Sequence, residues 1–147
     1  MGVKIAPVTT LVVEDSRDFC QFLVFTLEQK TRCEIVGQAS DGVDAVEQAA
    51  RLQPDLILLD LGIPRLNGME ATRRIRKASP KSLILIVSQN SCIDIVQGAL
   101  QAGAAGYLLK SDAVELPVAV NNVLRGVQFI SSCLKLDSSF DHKAIQS

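Results

Sequence analysis

Five side chains of the kinds that handle phosphoryl groups and metals stand at the ends of short apolar runs. Glu14 and Asp15 follow LVV, Asp60 follows LILL, Ser88 follows LILIV and Lys110 follows GYLL. An acid that closes a run such as DLILLD (55–60) either caps a loop or does chemistry. If Glu14, Asp15 and Asp60 converge, their charges repel one another until something cationic intervenes. Hard carboxylate oxygens suit Mg2+ or Mn2+, and Mg2+ combines a few carboxylates with phosphate oxygens and water. The acids therefore point to a metal, and the metal to a phosphoryl group. Lys110 adds a point charge and Ser88 a hydroxyl donor, both suited to phosphoryl oxygens. Asp60 is then a candidate nucleophile, since carboxylates form aspartyl phosphates.

The order of the elements decides whether these side chains meet. The apolar runs are TTLVVE (9–14), CEIVGQ (33–38), DLILLD (55–60), LILIVS (83–88) and GYLLK (106–110). All but CEIVGQ are continuously apolar at their centres, as expected for parallel strands buried on both faces. CEIVGQ alternates weakly and is the expected edge strand. Helical spacing fills the intervals: Phe19, Phe22, Leu23 and Leu27 after Ser16; Val43, Val46, Ala49 and Ala50 after Asp41; Met69, Thr72, Ile75 and Arg76 after Asn67. Ile95, Val96, Ala99 and Leu100 follow Ser91, and Val120, Val123, Leu124 and Val127 follow Asp112. Ser16, Asp41, Asn67, Ser91 and Asp112 are all suitable N-cap residues. Pro117 lies too deep for a helix capped at Asp112, so the last helix starts nearer Glu115 or bends.

This alternation predicts one (βα)5 α/β domain with helices on both faces of a parallel five-stranded sheet, and the flavodoxin-like strand order 2-1-3-4-5 is the arrangement taken for it. Residues 1–8 read as an N-terminal extension, 9–127 as the domain and 128–147 as a polar C-terminal tail. In that order the first and third strands are neighbours. Glu14, Asp15 and Asp60 then converge beyond the strand ends, where open parallel sheets bind ligands, and Ser88 and Lys110 face them.

Composition narrows the field. A chain of 147 residues, 48% hydrophobic, suits one core. No stretch of eighteen apolar residues occurs, so no membrane span is expected. Four cysteines are scattered singly and the first residues lack a secretory pattern, so a cytoplasmic protein with reduced thiols is expected. A formal charge of −1 offers nucleic acid no general attraction.

Taken together, Glu14-Asp15 after LVV, LLDLGIPRLNG around Asp60, VS at 87–88 and GAAGYLLKSD around Lys110 resemble the receiver domain of response regulators, the CheY-like family of two-component signalling. The resemblance covers roughly residues 9 to 127, with its motifs in order. It implies that Asp60 accepts a phosphoryl group from the phosphohistidine of a sensor histidine kinase or a phosphotransfer protein. It implies that Asp15, Asp60 and the backbone carbonyl of Gly62 bind Mg2+, with Glu14 helping through water. Lys110 would pair with the phosphorylated side chain, and Ser88 would hydrogen-bond the phosphoryl oxygen while Tyr107 turns from exposed to buried. Output would pass through the face formed by helix 4, strand 5 and helix 5 to an unspecified protein. This chain departs from the family at Gln89, where a small residue is usual; a long side chain there narrows access to Asp60. Gly62 and Asn90 stand where the family tunes attack by water. No helix-turn-helix pattern follows the domain, so direct DNA binding is not expected.

Other readings compete. A phosphorylation-independent pseudo-receiver would keep the fold without the chemistry. A phosphatase of haloacid-dehalogenase type also forms an aspartyl phosphate but wants a second acid two residues on, where this chain has Gly62. Flavodoxin-like binding of a flavin phosphate is opposed by Glu14-Asp15 in the first loop. The basic run Arg73-Arg74-Ile75-Arg76-Lys77 reads as a solvated helix face, and His142 as a solvated histidine in the tail. SCIDIVQGALQAGAAG (91–106) carries few charges, so a homodimer through helix 4, strand 5 and helix 5 is an expectation.

Overall fold

The computed structural model describes residues 6–135, so His142 and the outer parts of the expected extension and tail lie outside the described residues. Strands and helices alternate: β1 (Val8–Val13), α1 (Arg17–Lys30), β2 (Cys33–Ala39), α2 (Gly42–Leu52), β3 (Leu56–Leu59) and α3 (Gly68–Ala78). The second half continues with β4 (Leu83–Ser88), α4 (Ile93–Gln101), β5 (Gly106–Leu109), a 3-10 turn (Lys110–Glu115), α5 (Leu116–Leu124), β6 (Phe129–Ile130) and α6 (Ser132–Lys135). The strands form one parallel sheet of order β2-β1-β3-β4-β5-β6. CEIVGQ is the edge strand, as its weak alternation predicts.

The continuously apolar strands are covered on both faces. Leu23 and Leu27 of α1 and Leu116, Ala119 and Val120 of α5 pack with Val12, Leu58 and Leu85 on one side. Ala45, Ala49, Ala71, Ile75, Val96 and Ala99, from α2, α3 and α4, pack with Leu11, Ile57, Leu59, Ile84 and Ile86 on the other. Phe22, one of the residues at helical spacing, is 42% exposed, because Cys20, Leu23 and Leu27 make the buried stripe of α1.

The sheet has six strands where the sequence predicts five. Phe129 and Ile130, assigned above to the polar tail, pair in parallel with Gly106 and Tyr107. They are buried together with Ser131 and Leu134. A two-residue strand is too short to show periodicity, which is why the pattern missed it. Its anchor is Asp112, whose carboxylate accepts hydrogen bonds from the Ser131 hydroxyl, the Cys133 backbone N–H at 3.2 Å and the Cys133 thiol at 3.3 Å. Asp112 is therefore a clasp and not the expected helix cap. The helix after it begins at Leu116, with Pro117 in its first turn, where no internal donor is needed.

The caps at Ser16, Asp41 and Asn67 are as expected, accepting from the backbone N–H groups of Phe19, Asp44 and Glu70 at 3.3, 2.8 and 3.0 Å. Ser91 does not cap α4. Cys92 stands at that boundary, and its N–H donates to Oδ1 of Asn90 at 2.9 Å. At the start of α3, Gly68 is required: a Cβ there would stand 2.4 Å from Leu61 Cα and 2.7 Å from the Asp60 carbonyl oxygen. The helix thus packs directly on the backbone that presents Asp60.

Candidate functional site

Strand register assembles the site. Val13 lies opposite Leu59, so the next residues, Glu14 and Asp60, emerge side by side. Their backbones are held by Asp60 N–H to the Val13 carbonyl and Glu14 N–H to the Ala39 carbonyl, both 3.0 Å. On the other flank Ser88 lies opposite Leu109, which brings Lys110 up beside Ser88. A cleft at the carboxyl ends of the strands is lined by Glu14, Asp15, Asp60, Gly62, Ser88, Gln89, Asn90 and Lys110. Of the site residues singled out from sequence, only Tyr107 does not line it.

Lys110 occupies the middle. Its Nζ lies 2.9 Å from Glu14 Oε1 and 3.2 Å from Asp60 Oδ2. The other Asp60 oxygen, Oδ1, accepts the Gly62 N–H at 3.1 Å, and Glu14 Oε2 accepts the Ser16 N–H at 2.9 Å. Burial pushes the Glu14 carboxyl above its usual range. Lys110 and the Ser16 N–H work against that shift, and the neighbouring Asp60 charge adds to it. Burial disfavours the Lys110 ammonium, but hydrogen bonds and charge from Glu14 and Asp60 outweigh it and hold the lysine above its usual value. A proton is thus retained on Lys110 throughout the neutral range.

Ser88, Asn90 and Tyr107 form a chain of bonds. Ser88 Oγ accepts the Asn90 N–H at 3.1 Å, and the Tyr107 hydroxyl donates to the Asn90 carbonyl at 2.6 Å. Tyr107 is fully buried, and burial raises its phenol above the usual value. Sequence reasoning missed Phe19, whose ring lies beside the Lys110 ammonium, 4.6 Å from Nζ to centroid. Its place in the apolar stripe makes it look like core. The pointer was its place in the first turn of the helix that follows Glu14 and Asp15.

A cation fits here. Glu14, Asp15 and Asp60 each offer an oxygen, all within 4.8 Å of one another. Glu14 Oε1 is buried, with the Lys110 ammonium 2.9 Å away. An all-oxygen, multiply charged donor set of this kind suits a hard divalent ion such as Mg2+ or Mn2+. Among the described residues, no helix is long and apolar enough to cross a membrane.

An α/β parallel sheet with an acidic cleft at its carboxyl edge, closed by a lysine, defines a receiver-type fold. Comparison with known proteins agrees: the pattern of the response regulator receiver domain matches residues 10–121, and the chain belongs to that family. It is 35% identical over 121 residues to the transcriptional regulatory protein DegU of Brevibacillus brevis, covering 82% of this chain and 51% of that protein. It is 33% identical over 129 residues to the nitrate/nitrite response regulator NarL of Escherichia coli, covering 87% of this chain and 60% of NarL. A LuxR-family two-component response regulator from Aurantimonas superposes with a TM-score of 0.85 at 27% identity, covering 91% of this chain and 96% of that one. The chain thus spans between half and two thirds of these curated relatives, and what it shares with them is the receiver domain.

Proposed function

We propose that this receiver takes a phosphoryl group onto Asp60 from a phosphohistidine of a sensor histidine kinase or phosphotransfer protein. The observation that carries the reading is the placement of the Asp60 carboxylate in an open cleft between the Lys110 ammonium and the Glu14-Asp15 pair. In the transfer, an Asp60 oxygen forms a bond to phosphorus as the P–N bond to the donor imidazole breaks, the electron pair leaving with the nitrogen. Lys110 shifts from the carboxylates onto a phosphoryl oxygen, keeping its proton. Ser88 donates its hydroxyl proton to another, a bond that Ser88 Oγ can make while still accepting the Asn90 N–H. Asp15 and Asp60, with the Gly62 carbonyl and Glu14 through water, would hold Mg2+. The ion when bound neutralises charge on the transferring group.

Gln89 and Asn90 line the entrance and control access to Asp60. The added charge biases the Ser88–Asn90–Tyr107 chain between two arrangements, and the face formed by α4, β5 and α5 carries the result to a protein partner. The test is intact-mass analysis after acetyl phosphate and Mg2+, beside Asp60→Asn. Gain of one phosphoryl group in the wild type alone, abolished by chelator, supports the reading. No gain in a chain that binds beryllofluoride assigns the block to donor access at Gln89. No response to either probe leaves a phosphorylation-independent interaction module.

A further inference from the structure

We infer that Phe19 is a positioning residue for Lys110, holding the ammonium in the cleft while its carboxylate partners are taken by metal and phosphoryl group. The inference rests on the phosphorylation reading above and extends it to a residue outside the polar set. Lys110 Nζ has three neighbours of consequence: Glu14 at 2.9 Å, Asp60 at 3.2 Å and the Phe19 ring at 4.6 Å to its centroid. The first two are the groups that a divalent cation and a phosphoryl group engage. An ammonium released by them would swing to water, because lysine stems are long and flexible. An aromatic ring attracts a cation through its quadrupole, accepts no proton and ligates no hard metal. Phe19 therefore remains a partner for Lys110 in every state of the site.

The ring is itself fixed. Phe19 follows the Ser16 cap in the first turn of α1, and its N–H donates to Ser16 Oγ. Phe22, one turn on, stacks against it with centroids 5.6 Å apart and planes tilted by 32°. This gives Phe22, 42% exposed and useless to the core, a role as buttress. The Lys110 side chain is only 14% exposed, so the contact is largely sheltered from water and more favourable than at an open surface.

The test uses the full chain as Phe19→Leu, which keeps apolar bulk, and Phe19→Tyr, which keeps the ring face, each alone and combined with Lys110→Met. Affinities for Mg2+ alone and for beryllofluoride in saturating Mg2+ are measured by calorimetry. Phe19→Leu should weaken beryllofluoride binding about 2- to 30-fold while leaving Mg2+ affinity within about a factor of two. Phe19→Tyr should restore it, and in the Lys110→Met background Phe19→Leu should cost nothing further. The Lys110 ε-methylene protons should be shifted upfield by the ring in wild type and Phe19→Tyr, and not in Phe19→Leu. An equal loss with and without Lys110, or an unshifted methylene in wild type, overturns the inference. A wild type that fails to bind beryllofluoride while showing the ring shift overturns the phosphorylation reading, and the positioning role of Phe19 falls with it.

Discussion

At the scale of single residues, the site is a balance of buried charges. Burial holds the Glu14 carboxyl above its usual value of 4.5, so the folded chain binds that proton more tightly than the unfolded chain does. Its contribution to stability is fully present below that value and is lost as pH rises through the folded-state pKa. Removing the charge should therefore help increasingly as pH rises. In metal-free buffer, the stability of Glu14→Gln relative to wild type should increase across that window; urea unfolding at a series of pH values reads it, and a flat difference contradicts it. Lys110 is the counterpart. Lys110→Ala leaves Glu14 and Asp60 facing each other uncompensated, at a cost of about 1–3 kcal/mol, below the ~3–5 kcal/mol of a fully enclosed pair because the cleft opens to water. Mg2+ held as proposed would supply the missing charge, so the rise in melting temperature on adding Mg2+ should be larger in Lys110→Ala than in wild type. Equal rises would show that the ion does not sit between these carboxylates.

At the scale of elements, β6 and α6 are tied to the same segment that carries Lys110. Asp112 is two residues beyond Lys110 and binds Ser131 and Cys133, while the Ser132 hydroxyl donates to Glu115 at 2.9 Å. The Ser131 hydroxyl and the Cys133 N–H and thiol hold the Asp112 carboxyl below its usual value of 3.8. The clasp is then intact above that value and loosens as pH falls through the folded-state pKa. Asp112→Ala should lower the opening free energy of β6 and α6 by about 1–3 kcal/mol, read as faster amide exchange there with β1, β3 and β4 unchanged. Exchange unaltered at β6 and α6 would mean that burial of Ile130 and Leu134 holds them unaided.

These elements also mark where sequence reading succeeds. DLILLD and LILIVS lie at the sheet centre, where only continuous apolar side chains fit, so strand identity follows from pattern; the convergence of Glu14, Asp60, Ser88 and Lys110 needs the flavodoxin-like strand order as well. β6 was illegible because two residues carry no period and its anchor lies about twenty positions away in sequence. Ser91 and Asp112 have the chemistry of caps, yet α4 and α5 start without a side-chain cap and the Asp112 carboxylate is taken by Ser131 and Cys133. Phe19 was hidden by a periodic pattern that does not distinguish an apolar ring facing a core from one facing a lysine.

At the scale of the molecule, two core halves clamp a single sheet whose carboxyl edge carries the cleft of Glu14, Asp15, Asp60, Ser88 and Lys110. The exposed large apolar side chains among the described residues are Phe22, Phe25, Val114, Val118 and Val127, on α1 and around α5. None is on α4, so the low charge of that helix reflects packing of Val96 and Ala99 into the core as well as any partner. Every functional role assigned to the cleft turns on Asp60 as the acceptor. The most direct measurement is borohydride reduction after brief incubation with acetyl phosphate and Mg2+, followed by peptide mapping, since reduction turns an aspartyl phosphate into homoserine. Homoserine at position 60, absent without Mg2+ and absent from Lys110→Ala at the same time point, is the predicted result. Homoserine at another aspartate, or none while the chain gains phosphoryl mass, would contradict it.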